Sequence, residues 1–324
     1  MTSKMEELLD ALRVPPGKRI DLKKDYDPAF TGKWMTKEES LEVRAEGIQW
    51  IAELQDKLYA QDNYAVLVCL QAMDAAGKDG AIKHVMSGIN PQGVQVHSFK
   101  APTSEELDHD YLWRNFKALP ARGHIGIFNR SYYEEVLVVR VHPTFLAGQK
   151  LPPALTDGGI WKRRFEEINN FEKYLVNNGI VVLKLFLNVS KDAQKERFLE
   201  RAVRPEKNWK FSASDMKERQ YWDDYMAAYE DMFNHTSTEW APWYIVPADR
   251  KWFTRLAVGA VLYHTLQCLN LAYPTVSEAQ KQALEAARKE LESEGGGPAG
   301  AVAVEAAPKA KAPKRLVKTK KRRR

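Results

Sequence analysis

The apolar run 66–70 passes directly into Gln71, Ala72, Met73, Asp74, Ala75, Ala76, Gly77, Lys78, Asp79 and Gly80, and a helical pattern begins at once. No other stretch restricts the fold as much, because strand, glycine-bearing loop and helix in immediate succession form the context in which a loop cradles phosphate. Glycine lets backbone amides approach phosphate oxygens, the helix start offers unpaired N–H groups and a positive dipole end, and Lys78 adds a point charge. Ala75, Ala76, Gly77, Lys78, Asp79 and Gly80 are therefore expected to bind a polyanion. The loop departs from the common form, with Ala72 at the first glycine and Asp79 where a magnesium-binding hydroxyl is usual. That leaves Asp74 to serve as a metal ligand or to orient an attacking phosphate oxygen. The same residues also suit an ordinary turn with a solvated lysine.

Five apolar, β-rich runs, 65–71, 94–99, 124–128, 180–187 and 243–246, alternate with helical patterns near 80–88, 104–118, 131–141, 158–177 and 191–202. This alternation predicts a doubly wound α/β domain, a five-stranded parallel sheet with helices on both faces. Leu41, Ile48, Ile51, Leu54 and Leu58 mark one face of a helix that leads into the first strand. About sixty residues separate the fourth and fifth runs, a spacing that places a helical lid, 197–233, over the strand ends. Pro15, Pro16 and Gly17 suggest that 1–36 is an extended arm, with the body at 37–293 and a disordered Lys/Arg-rich tail at 294–324.

The formal charge of +6 resides in that tail, where 295–324 holds ten Lys or Arg against the single Glu305. The body is close to neutral, so nucleic-acid binding is not expected of it, although the tail itself could tether the chain to nucleic acid or an anionic surface. Cys69 and Cys268 do not suggest a disulfide framework, and no leader pattern or membrane-length apolar run occurs. A cytoplasmic protein without a membrane partner is expected. A homo-oligomer is expected only on the general ground that symmetric assemblies are common.

Further candidate residues stand at the end of the third run. Arg130 can clamp a phosphoryl group through its planar fork, and Glu134 can reach magnesium directly or through water. Asn129, Arg130, Ser131 and Glu134 are candidates for holding a nucleotide, while Asn129 and Ser131 also suit a helix cap. The inserted segment carries Arg197, Arg201, Arg204, Lys207 and Lys210 with Trp209. Five cations on a flap suit a long anionic chain, though solvated helix faces are often as basic. The seven histidines show no zinc spacing, and no nucleophile elbow occurs.

These strings resemble the family 2 polyphosphate kinases, and within them the class III branch. The resemblance is carried by the arm 22–27, the loop 74–80, the run 88–96, Glu106 to Asp110 with Trp113 and Arg114, the run 128–134, 138–143, and Pro205, Lys207, Trp209, Lys210 and Ser212. It covers most of 20–270. It implies a thymidylate-kinase-like P-loop fold, magnesium as cofactor held by Asp74 and Glu134, and a basic polyphosphate channel beneath the lid that includes Arg204, Lys207 and Lys210. Asp74, Lys78, Arg130 and Arg201 take the positions of the family's essential loop acid, loop lysine, strand-end arginine and lid arginine. Asn129 stands where many members carry aspartate, and with Glu134 it matches the class III pattern, which implies AMP as well as ADP as acceptor. The implied partners are inorganic polyphosphate and adenine nucleotides. An ATP-dependent nucleoside monophosphate kinase of the same fold would share the loop spacing.

Overall fold

The computed structural model describes residues 3–32 and 35–294, so the stretch 295–324, assigned by composition to a disordered tail, lies outside the described residues. The chain forms two units, Met1–Tyr273 and Pro274–Arg324. Within the second, the described part is mainly the helix Glu278–Glu294, which buries none of its residues.

The first unit is built on five strands, β1 Ala65–Ala72, β2 Val94–Ser98, β3 Ile125–Asn129, β4 Ile180–Asn188 and β5 Trp243–Pro247. They lie in the order β2-β3-β1-β4-β5, all parallel. All eight residues of β1 are buried, as its central position requires. The expected sheet is thus present with strand ends within a residue or so of the apolar runs. Its register does more than hold the layers together: pairing of Leu70 with Asn129 puts the loops that leave β1 and β3 side by side. The crevice at the carboxyl ends lies where the strand order reverses, the usual ligand position in open α/β sheets.

Apolar stripes dock the helices. Glu39–Gln61 packs on Lys251–Gln267, burying Ile51 and Leu58 on one side and Ala257, Val261 and Leu262 on the other. Ile160–Asn177 packs on β4 through Phe165, Ile168 and Leu175. That buried stripe also contains Glu172, fully buried, whose partner is the equally buried Lys184 of β4 at 2.7 Å. Tyr132 and Tyr133 donate to the second Glu172 oxygen at 2.8 and 2.7 Å, and Lys184 also donates to the Thr236 carbonyl at 2.6 Å. The ion pair is thus fully hydrogen-bonded, the condition under which a buried pair is tolerated.

Two expected helices are interrupted. The pattern 104–118 becomes Ser104–Leu107, opened by a Thr103/Glu106 capping box, and Trp113–Lys117. Asp110 accepts from the Leu112 N–H at 2.9 Å and turns the chain between them. The pattern 131–141 becomes a 3₁₀ turn, Tyr132–Val136, and a short helix, Val138–Val141, separated at Leu137 by its non-helical ψ of −86°. Near the N-terminus, the helix Ser3–Leu12 buries Leu8, Leu9 and Leu12, and the Val14 N–H then donates to the Trp243 carbonyl at 2.8 Å. The arm thereby covers the edge strand β5, where Arg13 bridges Tyr244.

Of the inserted segment, Trp222–Thr236 belongs to the core, with Trp222, Tyr225, Tyr229, Met232 and Phe233 buried. The shorter helices Pro205–Asn208 and Ala213–Glu218 bury no residue. Arg204 takes the extended conformation required before Pro205, which ends the helix Lys191–Val203.

Candidate active site

The loop after β1 is shaped by residues in unusual backbone conformations. Ala75 has φ 59° and Gly77 φ 108°, the left-handed region that a glycine enters without penalty and an alanine does not. Gly77 precedes the helix Lys78–Val85 without a side-chain cap, so among the described residues no side chain takes up the N–H groups of the first turn. The carbonyls, by contrast, are held by side chains. Lys78 Nζ donates to the Ala72 oxygen at 2.9 Å, and Gln194 Nε2 donates to that of Asp74 at 2.9 Å. Arg197 Nη1 donates to the oxygens of Ala75 and Ala76 at 3.0 and 2.7 Å. With its acceptors tied back, the loop offers donors to the crevice, the polarity an anion requires.

Arg197 therefore departs from the expected cationic flap. It is buried, and its other nitrogen donates to Asp249 at 3.2 Å and to Ala248, so it fastens the loop to the end of β5. Gln194, one turn earlier on the same face, is itself held by Arg219 at 2.7 Å. Sequence reasoning missed Gln194; the spacing Gln194, Arg197, Arg201 on one helix face was the available signal.

Arg130 faces the loop from the end of β3. Its backbone N–H donates to the Leu70 carbonyl at 3.1 Å, and φ 66° turns its side chain across the crevice. One nitrogen lies 2.9 Å from Asp74 Oδ1 and another 3.6 Å from Glu134 Oε2, so the guanidinium stands between two carboxylates. Glu134 and then Asp74 hold the Arg130 charge more firmly, against the opposing effect of burial. Burial pushes the Glu134 carboxyl above its ordinary range, although Arg130 and Lys78 oppose this. Burial and then Arg130 push Lys78 down, while Asp74, Glu134 and Asp79 hold it up. The Gln71 amide, oriented to satisfy its neighbours, donates to Glu134 Oε1 at 2.8 Å and accepts from Ser131 at 3.0 Å.

Asp74, Lys78, Arg130 and Glu134 are thus brought together. Asn129 Nδ2 donates to Asp79 at 2.9 Å, while its buried oxygen has no hydrogen-bond partner among the described residues. Asn129 and Arg130 line a cleft of about 400 Å³ with Asp79, Ser98, Phe99, Lys100 and Ala101. Ser131 does not face this cleft: it is buried and accepts from the Tyr133 N–H at 3.3 Å, the capping alternative. On the lid, Arg201 lies 3.2 Å from Asp215 and donates to the Lys210 carbonyl at 3.3 Å. Burial and the nearby Asp74 push the Asp215 carboxyl up, whereas Arg201, Arg130 and Lys78 pull it down. The lid arginine and the loop are therefore electrostatic neighbours, linked by Asp215, an acid that sequence reasoning did not single out. Lys207 and Arg204 lie 2.6 and 3.3 Å from Glu200, and Lys210 lies over the Trp209 ring at 4.9 Å.

An anion-polarised loop opening a helix, an arginine facing it across a β2-β3-β1-β4-β5 parallel sheet, and a helical insertion above define a phosphotransferase of the P-loop kinase-like class. The family model for polyphosphate kinase 2 matches residues 35–273, and the chain belongs to the polyphosphate kinase 2 family. It is 50% identical over 283 residues to the ADP-polyphosphate phosphotransferase of Rhodopseudomonas palustris, covering 86% of this chain and 96% of that one. It is 44% identical over 274 residues to the AMP/ADP-polyphosphate phosphotransferase of Meiothermus ruber, with coverage of 83% and 97%. A crystal structure of polyphosphate kinase 2 from Arthrobacter aurescens superposes with a TM-score of 0.78 at 42% identity, covering 86% of this chain and 96% of that one.

Glu134 gives this site an expected pH signature. Its raised carboxyl takes up a proton as pH falls through a value above the ordinary glutamate range of about 4.3, and the ionised form is then lost. The acid limb of kcat/KM is expected above that range and to disappear in Glu134→Gln along with most activity. A limb unchanged in Glu134→Gln would assign it to another group.

Proposed function

We propose that this protein transfers a phosphoryl group from inorganic polyphosphate to AMP and ADP. The observation that carries this reading is the loop whose carbonyls at 72, 74, 75 and 76 are all tied to side chains, leaving its donor side facing Arg130. The phosphate chain occupies the loop beneath the lid, and the acceptor nucleotide lies in the cleft beside Phe99, Lys100 and Asn129. Asp74 orients the acceptor phosphate oxygen for direct in-line attack. Lys78, Arg130 and Arg201 then stabilise charge on the moving group, since phosphoryl transfer depends mainly on positioning and electrostatics. Arg204, Lys207 and Lys210 attract the rest of the chain. Because Arg204 and Lys207 already share Glu200, their net pull is smaller than a count of cations implies.

Magnesium fits the donor set. Among the described residues no group of three or more His, Cys, Asp or Glu could hold a metal ion alone. Magnesium, however, typically takes one or two carboxylates and completes its shell with water and substrate phosphates. Asp74 and Glu134, both within reach of Arg130, would hold it. When bound, the metal neutralises phosphate charge. The chain's own contribution is to keep these two carboxylates apart on either side of one guanidinium.

The test is incubation of AMP or ADP with long polyphosphate and magnesium in the absence of ATP. Formation of the next higher nucleotide is expected; turnover only when ATP is supplied would establish the nucleoside monophosphate kinase reading instead. Asn129→Asp tests the acceptor assignment. It replaces the donor that holds Asp79 with a like charge, and AMP use is expected to fall about tenfold relative to ADP, the equivalent of ~1.4 kcal/mol. An unchanged AMP to ADP ratio would remove Asn129 from the acceptor site. No helix among the described residues is long and apolar enough to cross a membrane. Cytoplasmic location and a homo-oligomeric state belong to the same proposal, checked by cell fractionation and light scattering.

A further inference from the structure

On the flank of the fold, three helices bring two arginines and a histidine together. Arg44 comes from Glu39–Gln61, His84 from Lys78–Val85 and Arg255 from Lys251–Gln267. Arg44 Nη1 lies 3.4 Å from His84 Nε2, and the Arg44 Nε donates to the Ser40 carbonyl at 3.1 Å. Among the described residues none of the three forms an ion pair with a carboxylate, although the fold contains many such pairs elsewhere. All three are only partly exposed. They line a groove with Ile51, Leu256 and Tyr263, and Gly47 and Gly259 keep its walls apart, with open space where a side chain would begin.

The two arginines, which cannot give up their protons, repel one another in this half-buried group, apolar walls weaken the screening by water, and the uncharged His84 ring accepts from Arg44 without neutralising either. Burial and the two arginines push His84 down, and burial followed by Arg255 disfavours the charge on Arg44. The arrangement lacks an anion. The groove beside it holds about 50 Å³, more than the roughly 10–15 Å³ that one water-sized group needs. It shares no lining residue with the cleft at Asn129 and Arg130. His84 lies six residues along the helix from Lys78, about 9 Å by helical rise.

We propose that Arg44, His84 and Arg255 form a second phosphoryl-anion site, separate from the catalytic crevice, which binds the oxyanion of a phosphate chain or of a nucleotide. The site rests on the phosphate-chain reading only for the source of its ligand. Guanidinium groups supply planar donor pairs to phosphoryl oxygens, and protonated His84 adds a third donor.

The test is calorimetric titration of the full chain with tripolyphosphate and, separately, with ADP. Two binding events per chain are expected for at least one of these ligands, and the event assigned to the flank is expected to weaken at least about tenfold in Arg44→Gln or Arg255→Gln, the equivalent of a lost charge-assisted hydrogen bond. A second event with tripolyphosphate alone identifies a phosphate chain as the source, and one with ADP alone identifies a nucleotide phosphate. In Lys78→Ala the flank event should persist, which separates this proposal from the loop assignment. In the unsubstituted protein, the His84 imidazole resonance should titrate at higher pH when ligand is saturating. A single event in all of these proteins for both ligands, or a His84 titration unmoved by ligand, would overturn the proposal.

Discussion

Lys78→Ala is expected to lower kcat by about two to three orders of magnitude, the effect of removing one preorganised electrostatic donor, roughly 3–4 kcal/mol of transition-state stabilisation. The lysine is half-buried and positioned by the Ala72 carbonyl, and the three carboxylates Asp74, Glu134 and Asp79 sustain its charge against burial. Its ammonium is thus fixed before substrate arrives, and no reorganisation is needed as charge develops on the transferring group. Stability should change little, because Arg197 and Gln194 hold the Asp74, Ala75 and Ala76 carbonyls independently of Lys78. Turnover assays paired with denaturant unfolding separate the two effects. Near-normal kcat would remove Lys78 from the reaction, and joint loss of activity and fold would make it a structural residue.

Lys184→Ala is expected to have the largest effect on stability, a loss of about 3–5 kcal/mol, because it leaves the Glu172 carboxylate buried without its countercharge. The double replacement Lys184→Met with Glu172→Leu removes both charges and should recover much of that loss, although the hydroxyls of Tyr132 and Tyr133 then lose their acceptor. Urea unfolding of the single and double variants measures the difference. A Lys184→Ala variant within ~1 kcal/mol of the parent would show that the pair is not held as tightly as its full burial implies. The network also bears on chemistry, since Tyr132 and Tyr133 lie between Arg130 and Glu134 in sequence and anchor the turn that presents both.

The strands were legible because β-branched and aliphatic runs bounded by loops have few alternatives, and the loop was legible because its glycines and lysine are contiguous. Asp74, Lys78, Arg130 and Glu134 followed from strand ends in a parallel sheet. What the sequence could not show was decided by contacts distant along the chain. Arg197 looked like one more lid cation until its hydrogen bonds to loop carbonyls 121 and 122 residues away became visible. Asp215 did not stand out in the sequence, because its partner Arg201 lies 14 residues away. Ser131 carried two local readings, and burial favours the cap. The interrupted helix at 104–118 turned on a single side-chain bond from Asp110, which competes with the helix within one turn.

The most direct measurement is a crystal structure of the protein with bound polyphosphate. Phosphates are predicted along the backbone amides from Gly77 to Gly80, within hydrogen-bond reach of Lys78 and Arg130 and covered by Arg201. A phosphate chain lying only along Arg44 and Arg255, or a loop left empty at saturating polyphosphate, would contradict the account.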